Sequence, residues 1–224
     1  MKKSILVLMM LAVLFSVQAQ EQKVESKNKP SEDMENLQLA NQLAKYGYKT
    51  FSATALIEAA KIMSGVKTHE LKYDSYKQDS TKKTKDTKKS KEGYDITSIL
   101  TAAKKYADGD PKLIADITKL EKANQETRGR VGGPGERYSF VYGNSNDVYD
   151  ISFISGQLAE IGVRGDGDTD LDLYIYDSNG NLITYDSDYT DFCYVSWVPR
   201  WTGRYTIKIV NRGPIVNNYR LLTN

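Results

Sequence analysis

The sequence predicts an α + β chain of several modules: a small four-helix N-terminal unit, then a C-terminal antiparallel β-sandwich of jelly-roll type. Three observations predict it. Apolar residues recur at helical spacing from about residue 31 to 127, and from Tyr138 onward they alternate with period two. A glycine-rich run, Arg128-Gly129-Arg130-Val131-Gly132-Gly133-Pro134-Gly135, stands where the period changes. Charge changes there too: residues 20–134 carry 22 Lys/Arg against 17 Asp/Glu, and residues 135–224 carry seven against 12.

Ahead of the helices, residues 1–19 read as an export signal. Met1-Lys2-Lys3 is a positive start, Ile5 to Val17 is an apolar run, and Val17-Gln18-Ala19 offers a cleavage site after Ala19. The run is too short to span a bilayer and has polar sequence directly behind it. Cleavage leaves 224 − 19 = 205 residues, expected to be exported to a periplasm or beyond the cell. The formal charge of +2 comes from Lys2 and Lys3. Residues 20–30 are polar and aperiodic, the pattern of a disordered leader.

The helical domain is expected over residues 31–127. Ser31 suits an N-cap, with Glu32 and Asp33 in the first turn where the helix dipole favours carboxylates. Leu37, Ala40, Leu43 and Ala44 share a face, and Gly47 is the expected stop. A second helix starts at Ser52, buries Leu56, Ala59, Ala60 and Met63, and ends at Gly65. Residues 68–93 are Lys-, Thr- and Ser-rich, which predicts a flexible insertion; Lys77 to Lys91 alone holds seven Lys and two Asp. Asp95 then caps a third helix, and Asp110-Pro111 caps and starts a fourth. Two helical hairpins result. The glycine run of residues 128–135 follows no strand and ends in no Gly-Lys-Ser/Thr, so it reads as a hinge and not a phosphate loop.

Beyond the hinge, eight short strands are expected, opening with Tyr138-Phe140-Tyr142 and Tyr149-Ile151-Phe153 and closing with Tyr219 to Leu222. Turn residues such as Ser178-Asn179-Gly180-Asn181 and Asn211-Arg212-Gly213-Pro214 separate them.

Residues about 136–224 also resemble a known family. Tyr138-Ser139-Phe140, Gly165-Asp166-Gly167-Asp168-Thr169-Asp170-Leu171-Asp172-Leu173-Tyr174, Thr202-Gly203-Arg204-Tyr205 and Asn218-Tyr219-Arg220-Leu221 together resemble the bacterial pre-peptidase C-terminal domain. The resemblance implies a β-sandwich of the kind appended to secreted proteases. Some relatives, including collagen-binding modules, bind calcium and extracellular substrates. No peptidase precedes this copy, so the resemblance implies a binding or secretion module and not proteolysis.

The sharpest candidate site is Asp166, Asp168, Asp170 and Asp172. The four share one parity, so in an extended segment their carboxylates crowd one face while Leu171 and Leu173 turn inward. Crowded oxygens suit Ca²⁺, the expected cofactor; otherwise they form a solvated acidic edge. Asp186, Asp188 and Asp191 are further candidate ligands. Trp197 and Trp201 flank Pro199 and form either a ligand platform for sugar or protein or a buried end of the sandwich.

The chemistry excluded is as informative. The chain has a single His (His69) and a single Cys (Cys193), which rules out an internal disulfide and a Cys/His zinc cluster. His69 is expected on the insertion and Cys193 inside a strand as a small hydrophobe. No nucleophile-elbow or zinc-protease motif occurs. The expected function is therefore non-catalytic binding of an extracellular or cell-envelope protein or polysaccharide. Two rivals stand beside it: polyanion binding through the Lys-rich insertion, with nucleic acid not the expected partner, and an accessory carboxylate hydrolase.

Overall fold

Strict alternation in β10 (Gly203–Asn211) sets the frame: Tyr205, Ile207 and Ile209 are buried, while Arg204, Thr206 and Lys208 face the other way. In the computed structural model, which describes residues 24–25, 29–79, 95–127 and 134–224, β10 lies between β5 (Asn146–Phe153) and β7 (Leu171–Tyr176), antiparallel to both. β8 (Leu182–Asp186) extends this sheet beyond β7, and β1 (Val24–Glu25) and β3 (Ser75–Gln78) form its edges. The order is β1-β8-β7-β10-β5-β3.

The second sheet has the order β2-β4-β11-β6-β9, with β2 (His69–Glu70), β4 (Gly135–Val141), β6 (Ala159–Gly165), β9 (Phe192–Trp197) and β11 (Asn217–Thr223). Between the sheets lies one core: Leu171, Leu173, Ile175, Ile207 and Ile209 meet Ile161, Val163, Cys193, Val195 and Leu221. All eight expected strands are present, and the pairings are antiparallel except β1 with β8 and β2 with β4.

Strands β6, β9 and β11 do not alternate cleanly, because this part of the five-stranded sheet is buried on both faces, whereas β4 leaves Tyr138 and Phe140 exposed. The sheet's outward residues Tyr194 and Leu222, with Phe192, join the helical core. That core is built by α1 (Glu32–Thr50), α2 (Ala53–Gly65), α3 (Ile96–Tyr106) and α4 (Pro111–Thr127), with Leu37, Leu56, Ile99, Leu100 and Ile117 fully buried. The helical unit and the sandwich thus share a packed boundary. At its centre the buried Glu160 accepts from the Ser31 N–H (2.8 Å) and from the Tyr194 hydroxyl (2.5 Å).

Caps fall largely where the residues place them. Ser52 accepts from the Ala55 N–H, Asp95 from the Ser98 N–H, and Asp110 from the N–H groups of Lys112 and Leu113. Ser31 has cap backbone geometry, but its side chain makes no cap bond. Gly47 does not end α1. The helix runs to Thr50 and stops at Phe51, in the left-handed region at φ 54°. Gly47 is instead a close-approach residue: a Cβ there would stand 2.7 Å from Leu56 Cδ2.

Two expected unstructured segments are partly strand. Residues 69–79 of the expected flexible insertion 68–93 supply β2 and β3, and Val24–Glu25 of the expected leader pairs with β8. The reason is that an added edge strand needs no core of its own. β3 takes ladder bonds from β5, and Leu71 and Tyr76 anchor it in the sandwich core. The export signal, residues 80–94 and hinge residues 128–133 lie outside the described residues.

Candidate functional site

The four aspartates do not form one row. Residues 166–170 bend, with Gly167 at φ 90°, so parity is lost before β7 begins. Asp166 is buried and turned toward β11, accepting from the Asn218 N–H (2.9 Å) and Nδ2 (2.8 Å) and from the Asp168 N–H. Burial holds its carboxyl above the ordinary range despite these donors. Asp172, also buried, pairs with the Arg212 guanidinium at 2.6 Å and accepts from the Tyr174 hydroxyl.

Asp168 and Asp170 line an open cavity of about 540 Å³ with Lys45, Arg164, Tyr189 and Asp191. Asp191 is 8% exposed and has Lys45 at 3.7 Å and Arg164 at 3.6 Å. Asp170 Oδ1 and Asp191 Oδ2 are buried with no hydrogen-bond partner among the described residues. Burial, then the charges of Asp172 and Asp188, raise the Asp170 carboxyl. Among the described residues no three His, Cys, Asp or Glu side chains stand close enough to share a metal ion.

The two tryptophans do not form a joint platform. Trp197 continues the inward parity of Cys193 and Val195, so it is buried edge-on against Phe153 at 4.9 Å. Trp201 is 36% exposed and stacks on Tyr205 at 5.8 Å, whereas Trp197 meets the same ring tilted by 56°. Cys193 is buried, its thiol donating to the Leu171 carbonyl, and burial pushes that thiol well above its ordinary range. His69 sits in β2, paired with Gly135, and not on a free linker.

Two features escaped the sequence reading. The first is a buried polar chain where β3 meets the sandwich. Arg137 Nε donates to the Tyr149 hydroxyl (3.3 Å), the Tyr149 and Tyr219 hydroxyls are 2.6 Å apart, and Tyr219 donates to Asp147 Oδ2 (2.5 Å). Tyr76 of β3 donates to the same oxygen (3.0 Å), and the Arg137 guanidinium stands 5.0 Å from the Tyr73 ring and 5.2 Å from that of Tyr76. Asp147 is fully buried, and desolvation pushes its carboxyl up to about 6 even with the tyrosine donors. This chain ties β3 to the sandwich.

The second is the outer face of the six-stranded sheet, which carries no helix among the described residues. Pairing in register places Lys77, Val148, Lys208, Tyr174 and Tyr185 in one row across β3, β5, β10, β7 and β8. The Tyr174 and Tyr185 rings are nearly parallel, 6.1 Å apart at 15°. The signal was present in the strict alternation of β7 and β10, whose even-numbered residues point outward together.

Fold and site together define a β-sandwich in which one sheet packs on the helices through β9 and β11 and the other carries no helix on its outer face among the described residues. No family model and no curated protein sequence matches the chain. Solved structures do match in part. The pre-peptidase C-terminal domain of collagenase from Bacillus anthracis is 16% identical, with a TM-score of 0.34 over 42% of this chain and 92% of that one. PliG of Aeromonas hydrophila, a periplasmic inhibitor of g-type lysozyme, is 11% identical, with a TM-score of 0.33 over 41% and 84%. A carbohydrate-binding module of Cellvibrio mixtus lichenase 5A, solved with cellotriose, is 11% identical, with a TM-score of 0.25 over 43% and 89%.

Proposed function

We propose that this protein is an exported, non-catalytic binding protein whose β-sandwich, of the pre-peptidase C-terminal kind, takes an extracellular protein or polysaccharide. The observation that carries the reading is the unequal covering of the two sheets. The five-stranded sheet turns the outer side of β9 and β11 to the helices, whereas the six-stranded sheet has a face with tyrosines that no helix covers among the described residues.

Calcium is the finer part of the proposal. With Asp166 and Asp172 committed elsewhere and no three carboxylates converging among the described residues, a cation would rest on Asp170 at the cavity, its remaining oxygens coming from backbone carbonyls and water. It would compete there with Lys45 and Arg164, which already face Asp191. Its support is the repulsion on Asp170 and the two unpartnered oxygens.

The test is a binding screen of the mature chain against neutral and acidic polysaccharides and collagen, with calcium or with chelator, while product release is followed on the same polymers. Saturable binding without turnover is expected. Turnover that disappears when a single carboxylate is replaced would overturn the reading in favour of a hydrolase. A melt in calcium should rise by about 2–4 °C per kcal/mol of binding linkage and lose the rise in Asp170→Asn; an unchanged melt removes calcium.

A further inference from the structure

The sandwich half is acidic overall, yet its open face is not. Of the seven Lys/Arg in residues 135–224, Arg204, Lys208 and Arg212 stand on the outer side of the six-stranded sheet, and β3 adds Lys77 at the far edge. Glu25 of β1 takes the register position beside Tyr185, at the end of the row away from Lys77; of the 12 Asp/Glu in residues 135–224, the strand registers put only Asp150 and Asp172 on this side. Both are already neutralised. Asp150 accepts from Ser75 (2.7 Å) and Thr206 (2.8 Å) and faces Arg204 at 3.9 Å. Asp172 is buried under Arg212. Asp74 stands at one corner, where it accepts from Ser152. Lys77 and Lys208 form no ion pair among the described residues, and the Arg212 side chain is 53% exposed beyond its bonds to Asp172 and Tyr174.

Next to Lys208 and Arg212 lies an aromatic strip, Tyr174 beside Tyr185 with Tyr176 one register step along the same face. Four strand spacings separate Lys77 from Tyr185, about 19 Å, the reach of a short oligosaccharide. Rings that stack on sugars, continued along the same row by the unpaired cations Lys208 and Lys77, match a polymer of sugar rings that carries carboxylates or sulfates. A neutral glycan would leave the cations unused, and an apolar partner would have to desolvate them.

Resting on the binding-module reading, we propose that the outer face of the six-stranded sheet binds an anionic polysaccharide, with sugar rings on Tyr174 and Tyr185 and acidic groups on Lys208, Lys77 and Arg212. Arg212 is held for this by Asp172 and Tyr174. The face is distinct from the aspartate cavity.

The experiment measures binding of the mature chain to polygalacturonate, heparin and neutral dextran by calorimetry. The unmodified chain is compared with Lys77→Glu/Lys208→Glu, with Tyr185→Ala and with a deletion of residues 80–94. Expected are saturable binding to at least one acidic polymer and none to dextran. Affinity should drop about tenfold or more in both face variants, with unchanged melting temperature, and stay within about twofold in the deletion. Loss in the lysine variant alone would mean ion exchange without stacking and overturn the proposed mode. Loss in the deletion alone would move the site to residues 80–94. Binding to dextran or collagen that ignores the face variants would overturn this proposal and leave the binding-module reading intact. Binding to nothing tested in the wider screen would take both down.

Discussion

Asp147 is a carboxyl buried among tyrosines, and replacing it with asparagine converts its burial into a measurable pH dependence. Its ordinary value is 3.8 and its folded value about 6, raised chiefly by desolvation. Between those values the folded protein keeps a proton that the unfolded chain has released, so stability must fall as pH rises through that window. Below the unfolded value and above the folded one, the term is flat. A difference of about two pH units at about 1.4 kcal/mol each amounts to roughly 3 kcal/mol. Asp147→Asn removes the titration and leaves the rest unchanged. Glu136, Asp150 and Asp177 are held low in the folded protein and lose stability as pH falls, but they do so in both chains and cancel. Urea unfolding at steps from pH 4 to 7, followed by fluorescence of Trp197 and Trp201, reports the sandwich that contains Asp147. Relative to the variant, the unmodified protein should lose about 2.4 kcal/mol over that range, most of it before pH 6.5, the remainder of the linkage lying below pH 4. Parallel curves would show that Asp147 titrates alike in folded and unfolded chains, and would refute the argument.

Other substitutions test the packing. Gly47→Ala should lower the melting temperature, because overpacking against Leu56 by about 1–3 kcal/mol outweighs the roughly 1 kcal/mol gain in helix propensity. Gly143→Ala should cost about 3 kcal/mol or more, since its Cβ would stand 2.2 Å from the Pro214 carbonyl and backbone cannot yield like a side chain. Trp197→Ala should cost about 3–5 kcal/mol in urea unfolding, whereas the half-exposed Trp201 should cost much less. Glu160→Ala strips acceptors from Ser31 and Tyr194, at about 1–3 kcal/mol for each donor left unpaired. Limited proteolysis should then cut within α1 and α2 sooner than within the sandwich.

Much of the architecture was legible in residue patterns because each element carries its own period and punctuation. Asp95 and Asp110-Pro111 announce their helices, and the odd-numbered residues of β5, β7 and β10 announce the inner face. What the patterns missed depends on partners distant in sequence. Gly47 looks like a stop until Leu56 is known to press against it. Residues 69–79 look structureless because their order comes from the edges of β4 and β5, supplied some 70 residues later. Only β9, Phe192-Cys193-Tyr194-Val195-Ser196-Trp197, carried the near-continuous apolar run of a doubly covered strand; β6 and β11 hide theirs behind buried Glu160, Arg220 and Asn217. The aspartate row failed for a local reason: one bend at Gly167 separates Asp166 from Asp170 and Asp172. Trp197 followed its strand parity inward. Lys208 and Tyr174 were visible as outward residues, but their meeting in one row requires the registers of β10 with β7.

The central claim, that the protein binds through the open face of the six-stranded sheet, is tested most directly by lysine footprinting. The mature chain is acetylated briefly with and without saturating polygalacturonate, and each lysine is read by mass spectrometry. The account predicts that Lys208 and Lys77 become protected while Lys61 and Lys104, half-exposed on α2 and α3, react as before. Protection of the helical lysines with Lys208 unchanged would place the ligand on the other side of the molecule and contradict the account.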